Sequence, residues 1–194
     1  MSSRQRILDA IRAAQPAPSG PLAETIVPST VLDSPALAER FIAAVTTAGG
    51  ACLRGADAAA ARYQADGAAG PVWSDLEPGS CPLSYTEGPA VMAGLDLGIV
   101  HGAFGVSENG AVWVPVPAGA HRSHLFLTQR LVLVVHTAQL VPDMHAAYAR
   151  LASHPLPPYG VFIAGPSKTA DIEQTLVLGA HGPCELTVLL VDGI

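Results

Sequence analysis

A chain of 194 residues that is 49% hydrophobic and 13% charged is long enough to bury the core of one ordinary globular domain. Its formal net charge of −6 comes with no basic stripe to hold a phosphodiester backbone, which argues against nucleic acid as a partner. No purely apolar run is longer than Leu131 to Val135, which is far too short to cross a bilayer. The N-terminal stretch MSSRQRILDAIRAAQ has no apolar core and carries Asp9, so it is not a secretory signal, and a cytoplasmic protein is expected.

Residues 3–14 have the spacing of an amphipathic helix, with Ile7, Leu8 and Ile11 on one face. QPAPSGP then breaks it, so residues 1–21 are predicted to be an arm and linker ahead of a domain spanning 22–194. Ser34 followed by Pro35 predicts an N-cap and a first-turn proline, with Leu37, Phe41, Ile42 and Val45 as the buried stripe and Gly49-Gly50 as the stop. A strand at 51–54, an Ala-rich helix near 56–65 and a strand at 71–75 follow. This alternation implies parallel strands joined by right-handed crossovers. Further strands are predicted at 95–100, 111–116, 131–136, 161–165 and 186–191, with a short helix between His121 and Gln129, a helix opened by Pro142, and a helix at 169–178.

Cys52, Cys81 and Cys184 are widely spaced and form no CxxC pair. Three thiols cannot supply the four ligands of an iron–sulfur cluster, so no cofactor is expected in this chain.

Three polar constellations stand out. The first is GPSKTADIEQTLVLGAHGP, which contains Lys168, the only lysine. Read as strand, tight loop and helix, it places Gly165, Ser167, Lys168 and Thr169 at a helix N-terminus, where a cation is unfavourable unless an anion binds there. Plain capping by Ser167 or Thr169, with Lys168 in solvent, is the equal alternative. His181, in the GAHGP turn, is expected at the edge opposite the Lys168 loop. The second is GVSENGAVWVP, where Asn109-Gly110 marks a turn that holds Glu108 at a bend. Glu108 is either a loop carboxylate bonded to a nearby amide or a nucleophile or base displayed in a cleft. The third is HRSH: His121 and His124 have the spacing of a shared helix face but no third ligand nearby, so no metal site is expected. Arg122 is a candidate partner for a ligand carboxylate.

The first of these segments, with the apolar strand after it, resembles the C-terminal signature of the LUD-domain family, which includes the LutC and YkgG lactate-utilisation proteins. LDLGIVHGAFGVSENGAVWV resembles the family's central AETG-like segment, with Glu108 and Gly110 matching and Asn109 in place of threonine. The resemblance implies a three-layer α/β/α fold with a mostly parallel Rossmann-like sheet, of the NagB/RpiA/CoA-transferase type. It also implies an accessory or regulatory role in oxidising L-lactate to pyruvate, with iron–sulfur clusters carried by separate partner proteins. Ser107 to Gly110 is further similar to the SENG segment of family I CoA-transferases, which would make Glu108 a nucleophile toward an acyl-CoA thioester. The Gly-Gly-Phe segment of those enzymes is missing. Two other readings therefore stand beside the first. One is an autonomous enzyme or binding protein for an acyl-CoA or sugar phosphate that uses Glu108 and the Lys168 loop. The other is an interaction module docking through its N-terminal helix. Homo-oligomerisation is left open.

Overall fold

Near-continuous apolar runs along the central strands, such as Leu131 to Val135, force both faces of one sheet into a core, and the rest of the molecule is arranged around that sheet. The computed structural model describes residues 2–15, 33–55, 67–76, 94–116, 122–172 and 175–192. Its elements are α1 (Ser3–Ala13), α2 (Ser34–Thr47), β1 (Ala51–Arg54), β2 (Val72–Ser74), β3 (Leu97–His101), β4 (Phe104–Val106), β5 (Ala111–Val116), α3 (His124–Leu127), β6 (Arg130–His136), β7 (Leu140–Val141), α4 (Met144–Ala152), β8 (Tyr159–Ile163), β9 (Lys168–Ile172), β10 (Thr175–Leu178) and β11 (Glu185–Val191). The predicted helix at 56–65 lies outside the described residues, as do His121, Cys81 and most of the linker.

Strands β1, β11, β6, β3 and β2 form a five-stranded sheet in that order, and every pair is parallel. Leu131, Leu133 and Val135 of β6 face one core together with Leu186, Val188 and Leu190 of β11. Val132 and Val134 face the other, with Leu97, Ile99 and Leu189. The α/β fold with a mostly parallel sheet is as expected.

A second sheet was not anticipated. It is four-stranded and mixed, in the order β7-β4-β5-β8. Its inner residues Val112, Val114 and Val116 share the larger core with Ala38, Phe41 and Val45 of α2. Its outer face carries Phe104, Val106 and Ala111 and is covered by α4 through Ala147, Met144 and Leu151. The strand predicted at 161–165 belongs here, as β8, antiparallel to β5.

Helix boundaries moved by a residue where a better cap was available. Asp33, not Ser34, caps α2, its carboxylate accepting the Ala36 amide at 2.9 Å, so Pro35 falls in the first turn. Asp143 caps α4 in the same way through the Ala146 amide, 2.8 Å away. Helix α1 buries none of its residues, and Ile7 and Ile11 are largely exposed.

The largest departure concerns residues 168–172 and 175–178, which are strands and not the predicted helix. They make an antiparallel hairpin in which Lys168 is opposite Leu178, Thr169 opposite Val177 and Ile172 opposite Thr175. Thr169, Ile172, Thr175 and Val177 are β-branched, stiff at χ1 and better suited to a pleated strand than to a helix. Lys168 therefore does not sit at a helix N-terminus. Its ammonium group donates to the carbonyl of Ala48, the C-cap of α2, where the helix dipole favours a cation. Gly165 makes this approach feasible: it has φ +71°, and a Cβ there would lie 2.2 Å from the Ala48 carbonyl oxygen.

Gly165→Ala is expected to destabilise the fold by about 2 kcal/mol or more, because both backbone angle and space are lost. Lys168→Ala is expected to cost no more than about 1 kcal/mol, since the lysine is exposed and contributes one cap. Urea denaturation of the two variants against wild type checks the ranking.

Candidate functional site

Because all five strands of the first sheet run the same way, their carboxyl ends meet along one edge. In open α/β sheets ligands bind along that edge. Each strand here ends in, or is directly followed by, a polar residue: Arg54 at the end of β1, Asp192 after β11, His136 at the end of β6 with Thr137 after it, His101 at the end of β3 and Asp75 after β2.

These residues are bonded to one another in two groups. Arg54 Nε donates to Asp192 Oδ2 at 3.3 Å, and the Thr137 hydroxyl donates to Asp192 Oδ1 at 2.6 Å. The Thr137 hydrogen bond and the Arg54 charge hold the Asp192 carboxyl below its ordinary range. On the neighbouring strands the backbone amide of His101 donates to both carboxylate oxygens of Asp75, at 2.9 and 3.0 Å, and His101 Nδ1 lies 3.6 Å from Asp75 Oδ1. Burial pushes the Asp75 carboxyl above its ordinary range, and the His101 amide and ring oppose that rise in part. A half-buried carboxylate beside a more exposed imidazole is the arrangement that acid–base chemistry uses. In the other group the partners of Asp192, two strands further along the edge from β3, favour its ionised form. The edge thus offers one carboxyl suited to exchanging a proton and one held as a fixed charge.

The residues singled out from the sequence lie elsewhere. Every member of the Ser107–Gly110 turn has a packing task. The Ser107 side chain is buried and donates to the Leu37 carbonyl at 2.9 Å. Glu108 is exposed and accepts the Met144 amide at 3.0 Å, at the N-terminus of α4. Asn109 Oδ1 accepts the Ala111 amide at 3.0 Å. Gly110 has φ +70°, and a Cβ there would lie 2.6 Å from the Val45 nitrogen. Val112 is paired with Ile163, so this turn and the Gly165 loop emerge from the same end of the mixed sheet. Their charged groups turn to different helices, Glu108 to the start of α4 and Lys168 to the end of α2.

Ser167 is half-buried and is bonded through its backbone to Pro183 and Gly179, at 2.9 and 3.0 Å. The hairpin brings the chain straight back, so Gly182 packs on Ser167, and a Cβ on it would be 3.1 Å from that of Ser167. His181 consequently belongs beside the Lys168 loop, not opposite it as a helix would have required. Thr169 pairs with Val177 in the hairpin. Arg122 lies over the Tyr159 ring, 4.8 Å from its centroid. His124 is buried and stacks on Trp73 at 3.9 Å. Among the described residues, no three His, Cys, Asp or Glu side chains come together as metal ligands. Burial raises the Cys52 thiol to about 11, which keeps it protonated near neutrality.

Residues 89–191 match the family model of the LUD domain. The chain belongs to the LUD domain family. It is 31% identical over 125 residues to Lactate utilization protein C of Geobacillus sp. (strain WCH70), an alignment covering 62% of this chain and 49% of that protein. It is 33% identical over 112 residues to Lactate utilization protein C of Exiguobacterium sp. (strain ATCC BAA-1283 / AT1b), covering 54% and 47%. It is 31% identical over 103 residues to YkgG of Escherichia coli (strain K12), covering 50% and 44%. The chain thus spans about half the length of the curated relatives it matches. The crystal structure of a DUF162 family protein from Deinococcus radiodurans superposes with a TM-score of 0.55 over 84% of this chain and all of that one, at 20% identity, which establishes the shared fold. No described helix of this LUD domain protein is long and apolar enough to cross a membrane.

The strand-end residues of the carboxyl edge were not picked out from the sequence, yet the signal was present. VWSD, GIVH and VVHT each end an apolar run with polar or titratable residues, the pattern of a strand delivering side chains to an edge.

The raised pKa of Asp75 carries a sign. The native state holds this proton more tightly than the unfolded chain, so the contribution to stability is full below the ordinary carboxylate range and is lost as pH rises through the raised value. Asp75→Asn, which keeps an acceptor for the His101 amide, is expected to remove that loss. Its unfolding free energy should gain on wild type across a urea-denaturation series from about pH 4 to about pH 8.

Proposed function

We propose that this LUD domain protein is a LutC-like component of lactate utilisation. It would serve as an accessory or regulatory subunit of a system that oxidises L-lactate to pyruvate, with iron–sulfur clusters in separate partner proteins. The observation that carries this reading is the family match over half the chain, together with relatives named Lactate utilization protein C. The chemistry of the chain's own residues agrees with that division of labour. Three cysteines fall short of the four thiolates of a cluster, and one of them, Cys52, is held protonated by burial. Within such a system the carboxyl edge is the part of this chain suited to a small hydroxy or keto acid, with Asp75 and His101 handling a proton there.

Deleting the protein in its native host is expected to abolish or strongly slow growth on L-lactate while leaving growth on pyruvate unchanged. A tagged copy purified from lactate-grown cells should bring iron–sulfur proteins with it. His101→Ala should restore growth poorly although the variant folds. Normal growth of the deletion strain on lactate, with recovery of the chain alone, would overturn the reading.

A second reading has one observation in its favour, the emergence of the Glu108 turn and the Lys168 loop from the same end of the mixed sheet. It is an autonomous protein for an acyl-CoA or sugar phosphate, with Glu108 as nucleophile or base and Gly165, Ser167, Lys168 and Thr169 as the anion loop. Arg122 would contribute a further charge. It requires Lys168 to exchange the Ala48 carbonyl for the ligand. Glu108→Gln separates the two readings, because glutamine still accepts the Met144 amide: lost ligand turnover with unchanged stability would support the second reading, and unimpaired lactate growth of the same variant the first.

A further inference from the structure

A concavity lies on the outer face of the mixed sheet, beside the C-terminal end of α4, and none of Glu108, Lys168, Asp75, His101 and Asp192 lines it. It measures about 240 Å³ and is walled by Phe104, Trp113, Pro115 and Leu151, with Arg150 and His154 as its polar members. That volume is below the usual range for drug-sized pockets, so its occupant is small.

The walls are held in place. The indole of Trp113 lies over Gly160, where a Cβ would come within 2.3 Å of the ring. Trp113 also packs on Phe162 at 4.8 Å and lies at 24° to the Phe104 ring, with centroids 6.4 Å apart. The guanidinium of Arg150 sits 4.8 Å above the Phe104 ring and donates to the Gln139 side-chain oxygen. His154 Nδ1 lies 3.1 Å from the Arg150 carbonyl and ties down the end of α4. Among the described residues no carboxylate is within ion-pair distance of Arg150. A guanidinium has five donor hydrogens, and the Gln139 contact engages only part of them. An oriented, half-buried cation with spare donors, at the side of a small aromatic-walled pocket, matches a planar anion better than a neutral molecule.

We propose that this pocket binds a small organic carboxylate with a flat apolar body, its carboxylate on Arg150 and its body against Trp113 and Phe104. The proposal does not rest on the lactate reading.

Calorimetric titration of the full chain tests it, with benzoate as the probe, benzamide as its neutral counterpart and acetate as the carboxylate without a body. Benzoate is expected to bind saturably and at least about tenfold more tightly than either. Arg150→Gln should weaken benzoate by about tenfold and erase the preference over benzamide. Leu156→Glu places a negative charge at the rim, on a residue 65% exposed whose replacement leaves the core intact, and should weaken benzoate as well. Absence of saturable benzoate binding, equal binding of benzamide, or benzoate affinity unchanged in Leu156→Glu would overturn the proposal.

Discussion

Two turns press their backbones against the last turns of α2, and the rest of the molecule depends on that close approach. Gly110 meets the backbone at Ala44 and Val45, and Gly165 meets it at Ala48. Neither contact leaves room for a side chain, and both glycines hold a positive φ. The same helix places Phe41 against Gly105 of β4, where a Cβ would be 2.8 Å from the ring. Helix α2 is thereby wedged between the parallel sheet and the mixed sheet, and its own C-terminus leads directly into β1. Lys168 and Ser107 complete the attachment, Lys168 donating to the carbonyl of the C-cap Ala48 and Ser107 to that of Leu37 in the first turn.

That arrangement separates two kinds of polar residue. Around α2 and the amino edge of the parallel sheet, polar groups are consumed by partners within the fold, backbone and side chain alike. Asp96 illustrates this: Arg130 bonds its carboxylate at 2.8 Å, the Ala69 amide does so at 2.7 Å, and its carboxyl is held below the ordinary range, mainly by the Arg130 hydrogen bond. At the carboxyl edge the polar groups come from strand ends, where the ladder stops and side chains face outward. There Asp75 is raised by burial while Asp192 is lowered by its partners, so two carboxylates on one edge are displaced in opposite directions from the ordinary carboxylate range. Such divergence is what a site for an exchangeable proton needs.

The opening of the C-terminal signature shows how a local argument can identify the right residue and the wrong reason. A lone lysine in a Gly-Pro-Ser loop does mark a helix terminus. It marks the C-terminus of α2, 120 residues earlier in the chain, rather than the N-terminus of a helix following it. Spacing along the segment could not reveal this, because a cap contributed from so far away leaves no local pattern. The SENG turn is similar. Asn109-Gly110 was legible as a turn, but the reason for glycine, the backbone of α2, is a non-local contact.

The sequence by itself determined which segments are strands and helices in most of the domain, the continuous burial of β6 and β11, the turns, the absence of a four-thiolate set, and membership of the LUD domain family through the long C-terminal motif. These are consequences of local periodicity, composition and motif. Tertiary structure alone decided that the strands divide into a parallel and a mixed sheet besides the antiparallel β9–β10 pair, and that Asp75 and His101, 26 residues apart, share a hydrogen bond at one edge. The physical reason is common to both. Apolar alternation says which face of a segment is buried, while the partner that buries it is chosen by contacts distant along the chain.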